Sequence, residues 1–158
     1  MAEWLKAHDS KSCGQKCLGG SNPLASANFL GGYMEENVFA KIVKGEIPCY
    51  KIYEDEKNLA FLDIAPETKG HTLVIPKVDV DKVYELGDED YSSLFFAVKK
   101  VAKRMEEIFG ERVIMKVVGT DVPHAHVHLM PMDRTWEHGR VLELTEEEFW
   151  EIQEKLRF

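Results

Sequence analysis

Three of the six histidines, His124, His126 and His128, take every second position of the stretch VPHAHVHLMP at residues 122–131. In an extended chain residues i, i+2 and i+4 face one way, about 6.5–7 Å apart per step. The three imidazoles would then line one face, with Ala125, Val127 and Leu129 packed behind them. A straight row of that length cannot close all three rings on one small ion. It can lie along an extended anion such as a phosphate chain. Neutral imidazole is nucleophilic near pH 7. Neighbouring N–H groups can stabilise the charge that spreads over a phosphoryl group in transfer. Three buried rings without partners would each cost about 1–3 kcal/mol, which makes a purely structural row the weaker reading.

The chain that must position these rings has 158 residues, 44% hydrophobic and 30% charged, enough for one domain with a core. A formal charge of −8 speaks against a broad nucleic-acid surface, which needs a basic face. It leaves room for a local anion pocket. No apolar run reaches the roughly 18–20 residues that cross a bilayer. Cys13, Cys17 and Cys49 do not form a secreted disulfide pattern, and no His or Cys follows Cys13 and Cys17 at finger spacing. The compartment expected is the cytoplasm. Residues 1–33, rich in Gly and Ser and without sustained periodicity, read as a flexible leader, appended or mis-called, ahead of a folded domain over 34–158.

Within that domain, Val38, Phe39, Ile42 and Val43 form a helical stripe that Gly45 can end. CYKIYED and NLAFLDI flank the turn DEKN as a hairpin. GHTLVIPK reads as a strand buried on both faces, ended by Pro76. A long helix follows: Leu94, Val98, Val101, Met105 and Ile108 repeat at helical steps, Asp88 or Asp90 can cap it, and Gly110 stops it. RVIMKVVG and HAHVHLMP read as two further strands, and Thr145 with Glu148 opens a last helix through a capping box. The order predicts an α+β fold around an antiparallel sheet of about five strands.

The segment His124-Ala125-His126-Val127-His128-Leu129-Met130 resembles the His-x-His-x-His-x-x signature of the histidine triad (HIT) superfamily. KIVKGEIP, AFLDIAP and GHTLVIPK resemble the same family in order, so the likeness covers roughly residues 36–132. It implies the HIT-like fold and an enzyme that attacks the α-phosphate of a nucleotide. His126 would be the nucleophile, His128 would meet phosphate oxygens, His124 would orient His126 through its backbone carbonyl, and His71 would back the site. Asp63 would accept from ribose hydroxyls, while Phe39, Ile42, Ile47, Phe61 and Ile64 would line or flank the base pocket. Asp121 and Val122 fall on the approach to the triad, with Asp121 where relatives place a serine that contacts phosphate. Without the family, Asp63 is an ordinary strand-end residue and the apolar set is core.

Many relatives begin with Cys-x-x-Cys where this chain has Asn37 and Ala40, and use a further histidine where it has Asp79. Only His124 survives of the four zinc ligands in such members, so no metal and no cofactor are expected. The asparagine that some relatives aim at the phosphates has no clear counterpart. The reading is a hydrolase or transferase of a purine nucleotide conjugate of the nucleoside phosphoramidate type, working as a homodimer without nucleic acid or membrane. Its rivals are a dinucleoside polyphosphate hydrolase, a nucleotide-binding regulator and a metal-binding protein.

Overall fold

The computed structural model describes residues 37–120, 122–132 and 139–158. The elements are α1 (Val38–Val43), β1 (Lys51–Glu54), β2 (Asn58–Leu62), β3 (Thr72–Pro76), a 3-10 turn at Val83–Glu85, α2 (Asp88–Phe109), β4 (Val113–Lys116), β5 (Val127–Pro131) and α3 (Glu146–Leu156). The five strands form one sheet in the order β1-β2-β3-β5-β4, every neighbouring pair antiparallel. This is the α+β architecture that the element order predicts. Among the described residues no helix is long and apolar enough to cross a membrane.

Local chemistry sets most boundaries. Asn37 caps α1, its side-chain oxygen accepting from the Ala40 N–H at 2.8 Å. Asp55 Oδ1 accepts from the N–H groups of Lys57 and Asn58 and closes the β1–β2 turn. α3 opens on the capping box of Thr145 and Glu148. α2 ends at Gly110 in the left-handed region, but its start corrects the expectation of an aspartate cap. The N-cap is Gly87, and Asp88 and Asp90 lie inside the first turn. There their charges complement the exposed N–H groups of the helix end.

β3 sits third of five and is buried throughout, as a strand covered on both faces must be. One face of the sheet packs Ala60, Leu62, Val74, Val127 and Leu129 against Leu94, Val98, Val101 and Met105 of α2 and Ile152 and Leu156 of α3. The other packs Leu59, Phe61, Leu73 and Ile75 against Phe39 and Ile42 of α1. Gly70, with φ 91°, turns the chain into β3; a Cβ there would come within 2.5 Å of the Phe109 ring. Only glycine fits this close approach at that φ, and it sets the start of β3 beside the end of α2.

Candidate functional site

The expected histidine strand is shorter than its alternation suggests. β5 starts at Val127, so His128 alone of the three histidines is on the strand, and His124 and His126 lie in the segment leading into it. The cause is Pro76. Extending the β3–β5 register would put Pro76 opposite Ala125, but proline has no N–H to continue the ladder. The chain peels away, and the Ala125 N–H donates to Val80 O at 2.7 Å instead. The His126 and His128 rings end 4.9 Å apart between centroids. The straight row becomes a compact corner.

All four candidate histidines are buried, between 0% and 6% exposed, so their hydrogen bonds decide their tautomers. The Glu67 N–H approaches His71 Nδ1 at 3.1 Å and can only donate. The His71 proton is then on Nε2, from which it donates to His128 Nδ1 at 2.9 Å. The His128 proton is in turn on Nε2, which has no hydrogen-bond partner among the described residues. His126 Nδ1 lies 2.6 Å from the carbonyl of His124, which can only accept. That leaves the lone pair of the His126 ring on Nε2. Phe39 packs edge-on against His126 at 5.3 Å, limiting how the ring can turn.

Burial pushes the His128 pKa down from 6.5 to about 3, helped by the charges of His71 and His126. Burial also lowers His71, against the pull of Asp63 and Glu67. Both rings are neutral near pH 7, the state in which a chain of single-proton donors can hold. Asp63 Oδ2 lies 3.8 Å from His71 Nδ1, and Asp63 Oδ1 accepts from the Ala65 N–H at 2.9 Å.

Of the other expected site residues, Phe39, Ile42, Phe61 and Val122 are buried in one cluster, with Ile47 half-buried against it. Ile64 is not brought to them; it packs against the α2-side core, on the opposite face of the sheet. Asp121 and the leader over 1–33 lie outside the described residues.

The positions that hold zinc in the relatives with Cys-x-x-Cys do not fit a metal here. Ala40 offers no ligand atom, and the Asn37 amide donates to Asp79 Oδ1 at 3.1 Å and to Pro123 O at 3.2 Å. His124 Nε2 donates to Pro76 O at 2.9 Å, and its Nδ1 faces Asp79 Oδ1 at 3.3 Å without hydrogen-bond geometry. Asn37 and Asp79 clasp α1 to the histidine segment with hydrogen bonds. Asp63, His71 and His128 can also bring ligand atoms within 4.8 Å of one another. Both nitrogens of His71 and Nδ1 of His128 are already engaged, so an ion there would have to break the relay.

Two residues that sequence reasoning passed over join this cluster. Lys116 Nζ lies 3.3 Å from Glu67 Oε1, beside the His71–His128 pair. Burial alone would raise the Glu67 carboxyl, but Lys116, the Gly139 N–H and His71 together hold it low. The signal for Lys116 was present in VIMKVV, a lone cation inside an apolar run.

Comparison with known proteins matches residues 44–135 to the HIT domain. The chain is 44% identical over 108 residues to protein hit of Bacillus subtilis, covering 61% of this chain and 71% of that one. It is 45% identical over 96 residues to an adenosine 5′-monophosphoramidase of Schizosaccharomyces pombe, covering 60% and 72% of the two chains. A solved Hit-like protein of Bartonella henselae superposes with TM-score 0.71 at 31% identity, covering 80% of this chain and 98% of the other. The matched stretch runs from before β1 to beyond β5 and takes in His71, His124, His126 and His128, so this chain belongs to the histidine triad family.

Proposed function

We propose that this chain is a nucleotide hydrolase or transferase that attacks the α-phosphate of a purine nucleotide conjugate, of the nucleoside phosphoramidate type, through His126. The observation that carries this reading is the 2.6 Å contact of His126 Nδ1 with the His124 carbonyl. It holds the ring in the tautomer whose Nε2 lone pair is nucleophilic. The resemblance to an S. pombe adenosine 5′-monophosphoramidase supports the same reaction class.

In the first step Nε2 of His126 forms a bond to the α-phosphorus and the bond to the leaving nitrogen breaks. The departing amine takes its proton from solvent, while the neutral His128 donates its Nε2–H to a phosphoryl oxygen. In the second step water attacks the phosphorus, the bond to His126 breaks, and the nucleotide leaves. The water proton is released, and His126 regains its lone pair. His71 keeps His128 oriented throughout. Asp63 accepts from the ribose, and Phe39, Ile42, Ile47, Phe61 and Val122 form the floor and side of the base site.

The working unit in this reading is a cytoplasmic homodimer. β4 is an edge strand with Met115 and neighbouring Val117 exposed, a surface suited to pairing with a second copy. The test is a turnover panel of adenosine and guanosine phosphoramidates, dinucleoside polyphosphates and nucleotide sugars, with rapid quenching to trap label on the protein. Phosphoramidate turnover with label on His126 is expected. Turnover without any label at His126 would overturn the mechanism, and a panel with no turnover would leave a binding protein.

A further inference from the structure

Strand pairing sets Phe61 opposite Leu73, Leu73 opposite His128 and His128 opposite Lys116. Directly opposed residues of antiparallel strands point to the same face. The four therefore form one row across β2, β3, β5 and β4, on the side of the sheet away from α2. At about 4.8 Å per strand the row spans roughly 14 Å. If the nucleoside lies over Phe61 and Phe39 and the α-phosphate at His126 and His128, whatever is attached beyond that phosphate extends toward β4. Lys116 stands there.

Its charge is not simply a surface charge. Lys116 is 30% exposed at the side chain and its partner Glu67 only 15%. Among the described residues it is the cation whose field acts on both His71 and His128. The Glu67 carboxylate holds Lys116, while the Glu67 backbone N–H holds His71, so pair and relay share one anchor.

We propose that Lys116, counterbalanced by Glu67, makes the site selective for substrates whose leaving group carries a negative charge beyond the α-phosphate. This rests on the phosphoryl-transfer reading above. A neutral leaving group leaves the Lys116–Glu67 pair undisturbed and gains nothing from it. An anionic one shares the Lys116 ammonium, and in a chain of net charge −8 that local cation offsets the repulsion it would otherwise meet. The bland role for the same pair is a brace tying β4 to the turn before β3. A brace would serve all substrates alike.

The experiment compares adenosine 5′-phosphoramidates of β-alanine and of β-alanine amide, which differ in one charge. The full-length protein should favour the free carboxylate. Lys116→Gln should lower the ratio of kcat/KM values about tenfold, a size set by one charge lost at short range in a partly screened site. Lys116→Arg should keep the ratio, and Glu67→Gln should raise it. If Lys116→Gln slows both conjugates equally, the pair is a brace and the proposal is overturned. If neither conjugate turns over, the phosphoryl-transfer reading fails by itself. Calorimetric binding of ADP against AMP then decides, because loss of Lys116 must reduce the advantage of the second phosphate, and an unchanged ratio overturns the inference.

Discussion

Beneath α2 and α3 the sheet presents Ala60, Leu62, Val74, Val127 and Leu129 to an apolar helix face. On its other side the same strands carry Phe61 and Leu73, then His128 and Lys116, with Asp63 and His71 at the strand ends. The first face is stabilised by removing hydrocarbon from water. The second buries imidazoles and a carboxylate, each of which costs desolvation unless it is paired. It meets that cost with fixed hydrogen bonds from backbone groups: Glu67 N–H to His71, His124 carbonyl to His126, Pro76 carbonyl to His124. Those same bonds choose the tautomers. In the proposed reading the chemistry falls on one side of the sheet and the larger apolar core on the other, and substitutions should separate them.

The largest expected effect is on the histidine side. His126→Asn should lower turnover by about three orders of magnitude or more, since in the proposed reading this ring supplies the nucleophile. Its melting temperature should move by less than about 5 °C. Quench-flow kinetics with a thermal melt read both, and a variant keeping a tenth of the activity would break the assignment. Leu94→Ala, fully buried under the sheet, should do the reverse. It should cost about 2–5 kcal/mol in urea unfolding while the folded fraction keeps its kcat. If kcat fell with stability, the two faces would not be independent.

A smaller effect should appear with pH. His71 and His128 titrate below the ordinary value in the folded protein, His128 near 3. In the unfolded chain both take up protons as pH falls through about 6.5. Between these limits the unfolded state binds more protons, so stability is complete above about 6.5 and declines on acidification. The melting temperature should drop between pH 7 and pH 5, and His128→Gln should flatten that slope. A slope unchanged in the variant would mean that other groups set it. The smallest effect is Thr145→Ala, far from the histidines, which should remove the α3 cap for about 1 kcal/mol with no change in turnover.

Much of the fold is legible in the sequence alone. Local signals placed α3 at its capping box, β3 as a doubly buried strand and α2 through its repeat of Leu94, Val98, Val101 and Met105. The capping of α2 was misjudged because Asp88 and Asp90 suit both the cap and the first turn, and only backbone geometry tells them apart. The AFLDIAP motif groups Ile64 with the base-site residues, yet beyond the end of β2 the chain packs it against the other core.

By itself the sequence determined the chemistry available: histidines at alternating positions, an upstream Gly-His-Thr leading into a strand, and elements that compose an antiparallel α+β sheet. Those properties depend on residue type and on neighbours a few positions away, which a linear reading contains. Tertiary structure decided that Pro76 would bend the histidine segment into a corner, that Glu67 would orient His71 and through it His128, and that Lys116 would stand opposite His128. Each of these depends on strand order and on register between segments tens of residues apart. A shift of one residue in register would turn Lys116 to the other face.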